Sequence, residues 1–203
     1  LDWLATELPR QEWSLKAMHR LIVTSRTYRQ VSRGSGPDWQ KRLAHDRDNL
    51  LLSRAPRKRL EGEAIRDSFL AAAGLLNRKM GGPGVRPPLP REITATIRNK
   101  NWIVSPDPGD HMRRSIYIFV RRNLRYPLFD VFDRPDSNVS CPQRNSSTTP
   151  TQSLTLLNSE FSGTVASALA GRMAGKKDPV GHLYLLLFAR SPTAGERALA
   201  HDL

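Results

Sequence analysis

Residues 149–173 read TPTQSLTLLNSEFSGTVASALAGRM. Thr149 and Gln152 stand at capping-box spacing, with Pro150 at the first helical position. The threonine hydroxyl can accept from the amide of Gln152, and the glutamine side chain can reach back to the amide of Thr149. Behind this signal Leu154, Leu157, Phe161, Val165, Ala168 and Leu169 recur at helical spacing, which predicts one helix from about 150 to 173. The same device follows twice. Asp178-Pro179 opens a helix through Leu183, Leu186, Leu187 and Phe188, and Ser191-Pro192-Thr193, with Glu196 three residues after the threonine, opens a last one.

Upstream the pattern is also helical. Residues 1–8 look like the end of a helix, and 9–12 a break. Ser14 is a good N-cap, flanked by Trp13 and Met18 at staple spacing, for a helix over about 15–28. Pro56 can start a helix whose apolar stripe is Leu60, Ala64, Ile65, Phe69, Ala72, Leu75 and Leu76, ended by Gly81-Gly82-Pro83-Gly84. Between these, 33–48 reads as a loop, and 81–110 as an irregular insertion rich in proline and glycine. Ile93 to Ile97 alternates like a strand that Trp102-Ile103-Val104 can pair with, and 116–120 is a β-rich apolar run. The expected class is therefore mainly α, with a small β element around 93–120. The expected organisation is a single domain over 1–203, truncated from a larger protein.

The 203 residues carry 32 Lys and Arg against 19 Asp and Glu, a net charge of +13. That balance favours acidic partners, and arginine suits carboxylate, phosphate or sulfate through paired hydrogen bonds. The basic stretch 54–59 would attract phosphate, but no nucleic-acid reading module accompanies it, so specific nucleic-acid binding is not expected. The single cysteine excludes an internal disulfide framework. No apolar run is long enough to span a bilayer, and residues 1–4 do not form a signal peptide.

Four stretches carry a family resemblance. RRSIYIFVRRNLRYPLFDVFDRPDSNVSCPQRNSSTTPTQSLTLLNSEF (113–161) resembles the signature half of planctomycete-specific domain 1, a domain of unknown function. EWSLKAMHRLIVTSRTYRQVS (12–32) resembles its opening, RAPRKRLEGEAIRDSFLAAAGLL (54–76) its second helix, and LLLFARSPTAGE (185–196) its closing one. Gly62 departs from an expected alanine and Arg134 from an expected apolar residue; a short stretch before Arg113 also differs. The resemblance implies the C-terminal domain of a large exported bacterial protein, periplasmic or at the cell surface, following a second uncharacterised domain and often a cytochrome-c-like one. Haem would then belong to that separate domain. This chain has no Cys-x-x-Cys-His and no cofactor is expected in it.

A candidate site lies in the segment leading to Thr149. Arg113, Arg114, Arg121, Arg122, Arg125, Arg134 and Arg144 accompany Asp130, Asp133 and Asp136. One reading is an arginine–aspartate lattice that staples the loop to the body, because buried charges need partners. The other is an anion site of Arg121, Arg122, Arg144 and Thr149 at a helix amino end. Asp133, Asp136 and Cys141 form a candidate polar site. A thiolate near Arg144 would be reactive, yet no histidine lies within twenty residues of Cys141. Simple packing, or a disulfide to another part of a longer chain, competes with that role. His111 with Asp107 and Asp110, and His45 with Asp46 and Asp48, lack a metal-binding spacing. The expected role is a structural or binding module for an acidic partner, either an anionic glycan or a neighbouring domain of the same polypeptide. The alternative is part of an enzyme acting on an anionic polysaccharide or a redox-linked substrate, with its site in 121–149.

Overall fold

The structure, a computed structural model, describes residues 1–96, 102–122 and 124–202, and the chain divides into two compact units, Leu1–Arg59 and Leu60–Leu203. In the first unit α1 (Asp2–Arg10) packs on α2 (Leu15–Thr24). Ser14 caps α2 as expected, its Oγ accepting from Ala17 N at 3.2 Å, and Met18 is the buried residue of that helix. α2 ends at Thr24, earlier than the periodicity predicts, because Ser25 turns extended. The stretch expected as a loop over 33–48 contains α3 (Pro37–His45), with Pro37 in its first turn.

The second unit is built on α4 (Gly62–Ala73), which packs against α7 (Pro127–Val131), α9 (Glu160–Met173) and a 3-10 turn at Ser115–Tyr117. α4 is shorter at both ends than the sequence suggests. Residues 56–61 are not helical, and Gly74 closes the helix in the left-handed conformation, at φ 75°, a conformation glycine adopts without strain. Arg172 of α9 then donates to the carbonyls of Ala71 and Ala72, covering the carbonyl end of α4.

Two apolar clusters hold this unit. Leu70, Ala73 and Val165 join α4 to α9, with the Phe69 and Phe161 rings stacked at 6.4 Å. Val85, Ile118, Leu128, Phe129 and Phe132 form the other, beneath the irregular segment. Gly62 belongs to this second cluster in effect. A methyl there would stand 3.1 Å from Phe132 Cβ and 3.2 Å from Phe129 Cα. The helix-propensity cost of glycine, up to about 1 kcal/mol against alanine, is set against close approach of α4 and α7. Arg134, the other departure from the expected pattern, lays its guanidinium 5.6 Å from the Phe129 ring centre.

The chain is mainly α. The β element around 93–120 is reduced to isolated bridges among the described residues, Val85 with Ile118 and Asn77 with Arg113. The alternating run at 93–97 is instead helical in α5 (Arg91–Thr96), and Ile97 lies outside the described residues. Trp102 does not pair with it; its indole N–H donates to Pro87 O at 2.7 Å. In 115–120 the 3-10 turn breaks the two-residue alternation, so Ile116 is 76 % exposed while Ile118 is buried. A four-residue turn, α6 (Pro108–His111), completes the irregular stretch.

The single helix expected over 150–173 is two, α8 (Pro150–Asn158) and α9. Ser159 turns extended (φ −73°, ψ 144°), accepts from Ser162 N at 3.2 Å, and so ends one helix and caps the next. The capping box at Thr149 and Gln152 is formed. Gln152 is buried, and its Nε2 donates to Val131 O at 3.1 Å, tying α8 to α7.

α10 (Pro179–Phe188) and α11 (Ala194–Asp202) are joined by ion pairs. Asp178 accepts from Arg197 at 2.7 and 3.0 Å, and Glu196 accepts from Arg190 at 2.8 and 2.6 Å. The Arg197 hydrogen bonds, then the Gly181 amide, hold the Asp178 carboxyl down at about 2. The Arg190 hydrogen bonds, then the Thr193 amide, do the same for Glu196, also to about 2. A depressed folded-state value stabilises above the ordinary carboxylate range and stops doing so as pH falls through the folded value. The helix pair should therefore keep its full helicity above about pH 4.5 and loosen between there and about pH 2. Carboxyl carbon NMR titration reads this directly, and Arg197→Ala should raise Asp178 only part of the way to the usual range, because the Gly181 amide still donates to it.

Candidate functional site

The segment 121–149 is an arginine–acid lattice. Arg125 donates to Asp130 at 2.8 Å and pairs with Asp136 at 3.1 Å. Arg144 crosses from the loop to the start of α4, pairing at 2.9 Å with both Glu61 and Glu63. Burial pushes the Glu63 carboxyl up, but the Arg144 hydrogen bonds and charge, its own amide and the Arg134 charge together hold it below its ordinary value. The guanidinium of Arg144 is thus answered by two carboxylates.

The remaining expected site residues are placed as follows. Asp133 sits in the left-handed region at φ 58° and accepts from Ser147 N at 2.7 Å and from its hydroxyl at 2.8 and 2.9 Å. Asp136 accepts from Asn138 N and Nδ2, both at 2.9 Å, and the Asn138 amide, with Arg125, holds its carboxyl low. Cys141 is exposed and free, its thiol donating to Gln143 O at 3.2 Å. Thr149 is occupied in the capping box. Arg121 and Arg122 lie in the turn closed by the Arg121–Leu124 bridge. Among the described residues no hydrogen bond or ion pair joins either of them to Arg144 or Thr149. The structure thus ties Asp133 to the helix entrance and Asp136 to Arg125, and directs Arg144 to α4.

A second locus was only partly marked by the sequence patterns, which singled out Arg113 but not Arg66. Arg66 and Arg113 are each 1 % exposed. The Arg66 guanidinium donates to Arg113 O at 2.9 Å, Ser115 Oγ at 3.2 Å and His111 O at 2.5 Å. Arg113 donates to the carbonyls of Gly81, Lys79 and Pro83 and lies over the Tyr117 ring at 3.9 Å. These two arginines are satisfied mainly by neutral oxygens. The acid nearest Arg66 is Asp67, at 3.9 Å, which also faces Arg114 at 4.0 Å and accepts from Ser115 N and Oγ at 2.7 Å.

Above Arg66 opens a cleft of about 290 Å³. Pro87, Pro88, Leu89 and Pro90 supply one part of its wall, and Tyr126, Pro127, Leu128 and Phe161 another. The elbow at Ser159 brings in Thr155, Glu160 and Thr164. The signal was present in the sequence. Gly62, Arg66, Leu70 and Ala73 share one face of α4 and are its buried residues, but two of the four are not apolar, so a hydrophobic stripe passes beside them.

His111 Nε2 donates to Ser105 O at 2.7 Å, and Asp107 caps α6 through Gly109 N at 2.8 Å. Among the described residues no cluster of three or more His, Cys, Asp or Glu could hold a metal ion, and no helix is long and apolar enough to cross a membrane.

Comparison with known proteins gives one match. The family model described as PSD1, protein of unknown function (DUF1553), matches residues 1–203. No curated protein matches the chain, and no solved structure does.

Proposed function

The chain belongs to the PSD1 family of unknown function, and from its geometry we propose that it is a non-catalytic structural and binding module for an acidic partner. That partner is an anionic glycan or an acidic neighbouring domain of a larger exported protein, periplasmic or at the cell surface. The observation that carries this reading is how the polar groups of 121–149 are engaged. Asp133, Asp136 and Arg144 are each bound to internal partners, in the manner of a loop-holding lattice. A general acid or base must instead present its carboxyl to a substrate. Apart from Arg66 and Arg113, much of the excess positive charge meanwhile lies at the surface. Arg57, Lys58, Arg122, Lys176 and Lys177 are exposed, and the net charge is +13. Exposed guanidinium groups recognise carboxylate and sulfate groups by paired hydrogen bonds.

Titration of the chain with heparin and with alginate, followed calorimetrically, tests the proposal. Binding should weaken steeply as salt rises, since the Debye length falls from about 30 Å at 0.01 M to about 3 Å at 1 M. The double variant Arg121→Ser/Arg122→Ser should bind more weakly, and Cys141→Ala should bind as the parent does. Binding that ignores salt would defeat the proposal. Glycan cleavage that disappears in Asp136→Asn or Cys141→Ala would replace it with the enzymatic alternative.

A further inference from the structure

The cleft over Arg66 differs in character from the basic surface. Four of its wall residues, Pro87, Pro88, Pro90 and Pro127, are prolines, which offer no backbone N–H and no polar side chain. Leu89, Leu128 and Phe161 add apolar area. That side of the cleft disfavours a polyhydroxylated ligand, because each hydroxyl stripped of water against it would lack a partner. Its volume lies near the small end of ligand pockets, which are mostly apolar with a few placed polar groups.

The placed polar group is Arg66. Its cationic head lies 5.9 Å from the Tyr126 ring centre and 5.7 Å from that of Phe161, and both rings line the cleft. Its Nε is buried with no hydrogen-bond partner. The charge beneath the cleft is also unbalanced. Arg66 and Arg113 are both buried, whereas Asp67 is shared between Arg66 and Arg114 at about salt-bridge limit distance. Burying a cation without a full counter-charge is costly, and an anion entering the cleft would offset that cost in a medium that screens poorly. Glu160, at the same cleft, is exposed, so water screens its opposing charge.

We propose that this cleft binds a small apolar monocarboxylate, with its aromatic or aliphatic body against the proline and aromatic walls and its carboxylate directed to Arg66. The site is independent of glycan binding at the surface, so either can fail without the other.

The test uses the 203-residue chain and three probes: 3-phenylpropanoate, its neutral amide, and glucuronate. Binding is followed by amide NMR shifts of Thr155 and Phe161 and by calorimetry. The phenylpropanoate should bind saturably, and the amide should bind at least about tenfold more weakly. Glucuronate should not shift the cleft resonances. Thr155→Trp, which fills the cleft from α8 and leaves Arg66 in the sequence, should abolish binding, while Thr155→Ser keeps it. The amide comparison on the unaltered chain stands even if the tryptophan variant folds poorly. Equal affinity for acid and amide would overturn the proposal, as would undiminished binding by a folded Thr155→Trp chain, shifts produced equally by glucuronate, or silence from the carboxylate.

Discussion

Arg66→Ala is expected to cost the unit over residues 60–203 about 3–5 kcal/mol. Two effects oppose each other. Deleting the guanidinium relieves a buried charge that has only a distant carboxylate. It also strips hydrogen bonds from the carbonyls of His111 and Arg113 and from the Ser115 hydroxyl, and leaves a void near Tyr126 and Phe161. Each unsatisfied buried acceptor costs about 1–3 kcal/mol, and lost packing adds to it. The second effect therefore wins. Arg66→Lys should recover only part of the loss, because a compact ammonium cannot span acceptors that a planar fork reaches together. In urea unfolding the midpoint should fall with little change in slope. A midpoint equal to that of the parent would show that the three contacts contribute nothing net.

Phe129→Ala should cost a similar amount, about 3–5 kcal/mol, for an unrelated reason. Phe129 is 1 % exposed, at the centre of the cluster with Val85, Ile118, Leu128 and Phe132. Its ring meets Tyr126 at 4.9 Å between centres and lies under the Arg134 guanidinium. Truncation removes ring contacts on three sides, and the cavity cannot readily collapse because α7 is tied to α8 through Gln152 and pressed against Gly62 of α4. Phe129→Leu should recover most of the stability. The two truncations lie in one connected region, since Tyr126 touches both side chains, so the double variant should fall short of additivity. Full additivity in a double-mutant cycle would mean that Tyr126 does not couple them.

The legible parts of this protein were those governed by neighbours in sequence. The caps at Ser14, Thr149, Asp178 and Thr193 appear where local spacing puts them, because an N-cap is a contact across three residues. Ser159 is also a local signal, a serine with Ser162 three residues on, but the unbroken apolar period across 154–169 masks it. The alternation at 93–97 and the β-rich run at 116–120 matched strands, yet a strand needs a partner, and whether one arrives is not a local property. The arginines of 113–144 were visible as a group, and so were Asp130 and Asp136, which Arg125 meets, while the partners of Arg144 were not. Glu61 and Glu63 lie some eighty residues before Arg144 in the chain.

The sequence by itself determined the helical class, the helix starts at Ser14, Thr149, Asp178 and Thr193, the basic charge and the family, since these follow from residue type and spacing within a few turns. Only the tertiary structure decided which arginines are buried, where the 133–147 loop is anchored and that a cleft opens over Arg66. Those depend on contacts between segments tens of residues apart, and a guanidinium in the sequence looks the same whether it meets water or two backbone carbonyls.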